Sequence, residues 1–204
     1  MSALGISEDH QALHATARRW VEDRCPPSVA RRALDAPHER PPFWGELAEL
    51  GWLGLHLPEE HGGSGGGLGD LAVVLEELGR ACAPGPFLPT VLAGAVIGRA
   101  GSAAQRGELL PGLADGSAVG AVAWSGAAEV ERRGSAVTLS GRLGPVLGGA
   151  GASLLVVPAD GRWVVLDRSA VEVVPLAGVD GTRDVAEVRL DGCEAHLGLS
   201  LIHI

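Results

Sequence analysis

The chain has 204 residues, 46% of them hydrophobic, and a net charge of −9 with every basic residue an arginine. That apolar content is enough to bury a real core and excludes a disordered chain. The acidic balance, with a pI of about 5.2, argues against binding a nucleic-acid backbone. Three cysteines, Cys25, Cys82 and Cys193, lie far apart and match no disulfide framework or cysteine-based zinc pattern. The acidic N-terminus has no apolar signal core. The longest nearly apolar run, Phe87 to Gly98, contains Pro89 and is too short to span a bilayer. These features predict a cytoplasmic protein with neither a membrane nor a nucleic-acid partner.

The first half reads as helical. Ser7 is a candidate N-cap, with Glu8 and Asp9 placed against the helix dipole, and Leu13, Ala17, Trp20 and Val21 recur at helical spacing. Pro26 and Pro27 stop that helix. Pro42 suits the first turn of a second, which ends before Gly51. Leu57 to Gly67, rich in glycine, predicts no regular structure. In a third helix Leu71, Val74, Leu75, Leu78 and Cys82 share one face, and Glu76 is placed to pair with Arg80. Pro84, Pro86 and Pro89 break it, and a small apolar helix then runs to about Arg99. Ser102 and Gln105 spell a capping box for a fifth helix ending near Gly116.

The pattern changes after Gly116. Val119 to Trp124 is a short apolar run and Val137 to Leu143 alternates. Leu154 to Val157 and Trp163 to Leu166 flank Asp160-Gly161, a hairpin signal. Val171 to Val174 and Val185 to Leu190 add strands. A helical block followed by a β block predicts an α+β chain, or two domains joined near Gly116. The closing residues follow the last strand without a turn signal and predict a truncated or non-native tail over 199–204.

Few residues carry obvious chemistry. His10 and His14 stand one turn apart, as a helical zinc pair would, but the general-base position between them holds Gln11 and no third ligand is evident, so a solvated first turn is expected. Gly62-Gly-Ser64-Gly-Gly66 has nucleophile-elbow spacing without the strand that must precede one, which leaves a glycine-rich linker. Trp20, Trp44 and Trp52 read as core, and Cys82 as a buried small hydrophobe. Asp160, Asp167, Asp180 and Asp184 fall at turns or strand ends, where aspartate bonds locally. His196 and His203 lie toward the tail.

The order of segments is more informative. Phe43-Trp-Gly-Glu-Leu-Ala-Glu-Leu-Gly-Trp-Leu-Gly-Leu55 leads into Leu57-Pro-Glu-Glu-His-Gly-Gly-Ser-Gly65. A helix ending Leu75-Glu-Glu-Leu-Gly-Arg80 follows, then Leu109-Leu-Pro-Gly-Leu-Ala-Asp-Gly-Ser117 just before the β block. This closely resembles the N-terminal part of the FAD-dependent acyl-CoA dehydrogenases, over about Ile6 to Gly198. The resemblance implies an all-α helical domain over 1–116 and a small antiparallel β-barrel or sandwich over 117–198, with the family's C-terminal helical bundle absent. It also implies α,β-dehydrogenation of an acyl-CoA thioester, an electron-transfer flavoprotein-type acceptor, and a homo- or hetero-oligomer.

The implied cofactor is FAD. Its contacts map to Trp124, Ser125 and Gly126 on the first strand and to Leu147 and Gly148 on the second flavin segment. The family's lysine, tryptophan and hydroxyl residue in that segment are here Leu143, Pro145 and Leu147, which weighs against FAD binding by this chain alone. The catalytic glutamate belongs to the family's C-terminal domain, so no residue here takes its role; within the chain, Glu59 and Glu60 are the first carboxylates to consider. The implied substrate cleft has Leu71, Leu75 and Leu92 as walls. Two other readings stay open: a non-catalytic partner subunit of a heteromeric acyl-CoA dehydrogenase, and a helical-plus-β binding module without a redox role.

Overall fold

The computed structural model describes residues 7–133 and 136–194. α1 (Glu8–Arg24) begins at a reciprocal cap. The Ser7 hydroxyl accepts from the His10 amide and the Ser7 amide donates to His10 Nδ1, each at 3.1 Å. Pro26 and Pro27 end α1 as expected but also start α2 (Pro27–Ala33), a short helix the pattern did not predict. Proline fits a first turn, where its missing N–H has no partner to lose. α3 (Trp44–Glu49) stops at Gly51, whose φ of 71° suits glycine.

The stretch predicted to lack regular structure contains one 3-10 turn, Glu59–His61. α4 (Leu68–Arg80), α5 (Phe87–Ala100) and α6 (Ala103–Ala114) follow, the last capped by Ser102 and Gln105. Pro89 falls in the first turn of α5 and so does not break it. Two details of α4 differ from expectation. Arg80 pairs with Glu77, one residue along from Glu76, at 2.8 Å. Cys82 is exposed at a φ of 50°, because the chain leaves the helix there and turns it off the buried face.

Among the described residues seven strands follow: β1 (Gly120–Val122), β2 (Glu129–Arg133), β3 (Ala136–Leu147), β4 (Leu154–Ala159), β5 (Arg162–Asp167), β6 (Glu172–Pro175) and β7 (Val185–Glu194). One sheet has the order β1-β4-β5 and the other β2-β3-β7-β6. β4 and β5 form the hairpin at Asp160-Gly161, whose φ values of 51° and 69° are both positive, as a type I′ turn requires. Among the described residues the strand pairings are antiparallel except β1 with β4, where Gly120 lies opposite Leu154 and Val122 opposite Val156, and an isolated parallel bridge joins Ala128 to Ala159. β2 was not anticipated. It is a charged edge strand paired to β3 alone, so it carries no apolar alternation to read. The predicted tail over 199–204, with His196 and His203, lies outside the described residues. Among the described residues no helix is long and apolar enough to cross a membrane.

Three cores result, and the β1-β4-β5 sheet is the middle layer. Leu155 and Val157 face the second sheet and pack with Leu139, Leu143 and Val188. Their neighbours Val122, Leu154 and Val156 face α5 and α6 and pack with Ala93, Ile97 and Leu110. Burial on both faces is why β1 and β4 read as continuous apolar runs. The helical core joins Val21, Leu47 and Val74 to Phe87 and Val91. Trp20 stacks edge-on against Phe43 and Trp52, each at 5.3 Å between centroids.

α5 meets β1 with almost no space between them. A Cβ on Gly120 would lie 2.5 Å from Cβ of Ala93, and the Gly120 amide donates to Thr90 Oγ1 at 3.4 Å. Gly120→Ala is therefore expected to cost about 1–3 kcal/mol through overpacking. Gly107→Ala, in α6 with nothing within 4 Å of its Cβ position, should instead stabilise by about 0.5–1 kcal/mol. Urea unfolding of the two variants checks both signs.

Candidate functional site

The helical and β layers meet in a small cavity of about 80 Å³ at the start of α5, lined by Pro86, Leu88, Pro89, Leu147, Gly148 and Arg183 among others. Gly148, with a φ of 74°, presses so closely on α5 that a Cβ there would lie 2.6 Å from Pro89. Its amide donates to the Asp184 carbonyl at 2.7 Å. Gly151 donates to Asp184 Oδ2 at 2.8 Å, and Arg183 Nη1 donates to the Gly85 carbonyl at 3.3 Å. Aspartate in this stretch was expected to bond locally. Instead Asp184 is buried and holds an amide 33 residues away. Such a tie joins segments distant in sequence and leaves no short-range signal.

The sequence-predicted residues fall in three places. Leu147 and Gly148 line the junction cavity. Trp124 is 58% exposed at the end of β1, edge-on to Trp163 with centroids 5.6 Å apart. Ser125 Oγ donates to the Gly144 carbonyl at 2.8 Å, and Gly126 sits beside Leu143 of β3. Leu71 and Leu75 pack with the helical core and Leu92 with the helix–sheet core. None of these three lines the junction cavity, where α5 instead presents Leu88 and Pro89. Glu59 and Glu60 are exposed, and Glu60 lies 3.4 Å from His61.

These residues do not fit an enclosed flavin. Pockets that bury a drug-sized ligand run to about 300–1,000 Å³. The junction cavity is far smaller, and the larger opening of about 210 Å³ is framed by α2 and Pro41, Pro42 and Pro84, away from the residues assigned to the flavin. The Ser125 hydroxyl already gives its proton to the backbone, and Leu147 has no donor to offer. Neither of these two openings encloses a ring at the residues assigned to the flavin.

The remaining candidates resolve into structural roles. His10 Nε2 lies 3.3 Å from Asp70 Oδ1 and His14 Nε2 lies 3.0 Å from Glu77 Oε1, so the expected solvated turn is instead a seam between α1 and α4. The two imidazoles go to separate carboxylates. Among the described residues no group of three or more metal-ligating side chains comes together. Ser64 Oγ faces the Gly51 carbonyl at 3.5 Å, a backbone contact and not a pairing with a base. Burial, with Glu46 nearby, pushes the Cys25 thiol up to about 11, which keeps it protonated and poorly nucleophilic. Burial likewise pushes the His56 imidazole down, opposed only by the nearby Val91 backbone.

A family model described as the acyl-CoA dehydrogenase N-terminal domain matches residues 7–117. This chain belongs to the acyl-CoA dehydrogenase family. It is 32% identical over 197 residues to acyl-CoA dehydrogenase FadE34 of Mycobacterium tuberculosis, an alignment covering 91% of this chain and 26% of that protein. The fold is also that of solved relatives. The ChsE4–ChsE5 complex from Mycobacterium tuberculosis superposes with a TM-score of 0.86 at 25% identity, covering 97% of this chain and 57% of that one. A steroid acyl-CoA dehydrogenase, the Tcur3481–Tcur3483 G363A variant, superposes with a TM-score of 0.82 at 29% identity, covering 94% and 58%. The chain thus spans between a quarter and three-fifths of the length of these relatives.

The α1–α4 seam yields a pH prediction. Burial alone would raise the Glu77 pKa, but the Arg80 hydrogen bonds and charge, with Arg18 and His14, outweigh it and hold the carboxylate below its usual range. A lowered folded-state value contributes stability that is present above the unfolded glutamate pKa and lost as the pH falls through the folded one. Arg80→Met should therefore lower the urea midpoint at neutral pH. The gap to wild type should narrow as the pH is taken down through the glutamate range, about pH 4.3. Midpoints measured at several pH values test this.

Proposed function

We propose that this chain is the helical and middle β portion of a cytoplasmic, flavin-dependent acyl-CoA dehydrogenase that oxidises the Cα–Cβ bond of an acyl-CoA thioester to a double bond. The observation that carries this reading is the junction where α5 lies on β1 and the turn after β3, which carries the flavin-segment positions Leu147 and Gly148, closes against Pro89. The reaction needs a base for the α-proton, made acidic by the thioester carbonyl, and an oxidant that no amino-acid side chain replaces. In this reading FAD, the base, an electron-transfer flavoprotein-type acceptor and an oligomeric assembly come from beyond these residues. A fatty-acyl or steroid side-chain thioester is the substrate class, supported by the likeness to the steroid dehydrogenase.

A second reading is favoured by two observations. The Ser125 hydroxyl is committed to Gly144 and the hydroxyl position of the family is Leu147. Both suit a partner subunit that does not itself hold flavin, and the similarity to a two-component complex supports it.

One experiment addresses both. The purified chain is mixed with FAD, an acyl-CoA and an artificial electron acceptor, then co-expressed with a complete acyl-CoA dehydrogenase homologue. Alone, it should retain no flavin absorbance and turn over no faster than buffer, since loss of a general base costs about 10²–10⁴-fold and loss of the oxidant costs the whole reaction. Co-purification with the homologue supports the second reading. Turnover by the chain alone overturns the assignment of the base to residues outside it, and makes Glu59 and Glu60 the carboxylates to replace.

A further inference from the structure

The connection between β6 and β7 reaches into the junction at two adjacent residues, and each grips a different layer. Arg183 holds the helical layer through the Gly85 carbonyl, at the lead-in to α5. Gly85 presents that carbonyl from a φ of 98°, with Pro41 only 2.5 Å from where a Cβ would stand, so the lead-in has little freedom to move. Asp184 holds the β layer. Its side chain takes the Gly151 amide at 2.8 Å and its carbonyl takes the Gly148 amide at 2.7 Å. The turn between those glycines is wedged from the other side as well. Pro89 stands 2.6 Å from a Gly148 Cβ, and the His38 carbonyl 2.5 Å from a Gly151 Cβ.

We propose that Asp184 is a positioning residue for the junction cavity, and through it for the flavin-segment turn at Leu147 and Gly148. By fixing the Gly148–Gly151 turn it sets how far Leu147, the β-layer wall, stands from Pro89 of α5, while Arg183 ties the same connection to the opposite wall. Asp184 touches no reacting atom in this scheme; it acts through the turn. The burial of Asp184 makes the hydrogen bond to Gly151 costly to lose, because a donor left unpaired there is shielded from water. The link to catalysis, though not the geometry, rests on the acyl-CoA dehydrogenase reading above.

The test is amide hydrogen exchange on the 204-residue chain as wild type, Asp184→Ala and Asp184→Asn. In Asp184→Ala the Gly151 amide should exchange about tenfold to a hundredfold faster. The Gly148 amide, whose partner is a backbone carbonyl that the substitution leaves in place, should accelerate with it because the whole turn shifts. Protection in α1, α4 and the β4–β5 hairpin should stay as in wild type. Asp184→Asn retains a side-chain acceptor and should restore most of the protection at both glycines. Acceleration at Gly151 alone would overturn the proposal, since Asp184 would then merely satisfy one amide. Unchanged exchange at both glycines would overturn it too, as would an equal acceleration everywhere. If Asp184→Ala does not fold, Arg183→Ala decides, with Asp184→Asn as the control expected to stay near wild type at both glycines: acceleration confined to the α5 lead-in and 148–151 in Arg183→Ala supports the tie, and its absence overturns it. A parallel titration of the wild-type chain with an acyl-CoA tests the functional reading separately. Failure to bind weakens that reading and leaves the exchange result standing.

Discussion

The contact between Ala93 and Gly120 is the constraint from which the other layers take their places. It brings a helix backbone to within side-chain reach of a strand that is itself buried, which only small residues on both sides permit. α5 then serves two cores at once, giving Phe87 and Val91 to the helices and Ala93 and Ile97 to the sheet. A helix buried from two directions has no polar face to show, and this explains why Phe87 to Gly98 reads as an almost unbroken apolar run without being a membrane segment. Pro89 and Gly85, on or just before the same helix, then fix where the second sheet and the β6–β7 connection settle.

The chemistry of the junction is defined as much by what its polar groups already do as by their presence. The hydroxyl of Ser125, the carboxylate of Asp184 and the guanidinium of Arg183 all have backbone partners within the chain. The buried carboxylate of Glu77 has Arg80 and His14. These groups hold the fold together and leave few lone pairs or protons for a ligand. A wall of Leu88, Pro89 and Leu147 remains, and its side chains offer apolar contact alone.

Much of the fold was legible because it is local. The cap at Ser7, the capping box at Ser102 and Gln105, and the hairpin at Asp160-Gly161 are each written within a few residues, and each forms. The family resemblance, carried by Leu57 to Gly65 between two helices, was legible for the same reason. What escaped was set at a distance. The parallel pairing of β1 with β4 and the reach of Asp184 to Gly151 depend on how layers stack. β2 escaped because an edge strand of charged residues has no buried face to impose alternation. The difference between Glu76 and Glu77 as the partner of Arg80 is a question of helical phase, decided by α1 lying over one side of α4. For the cleft, Leu71, Leu75 and Leu92 were implied by the resemblance; all three pack with the cores, and Leu75 and Leu92 are half-buried.

The loop from Leu57 to Gly67 shows that composition is a poor guide to slackness. Every amide from His61 to Gly66 donates to a backbone carbonyl between Gly54 and Glu59. A Cβ on Gly63 would fall 2.1 Å from the Leu57 carbonyl oxygen. A protease must draw an extended segment out of its substrate, and here that means breaking the whole set of bonds together. The most glycine-rich stretch of the chain should thus resist cutting in the folded protein. The segment between β6 and β7, where Val179 stands fully clear of the surface, is the more natural place for a first cleavage.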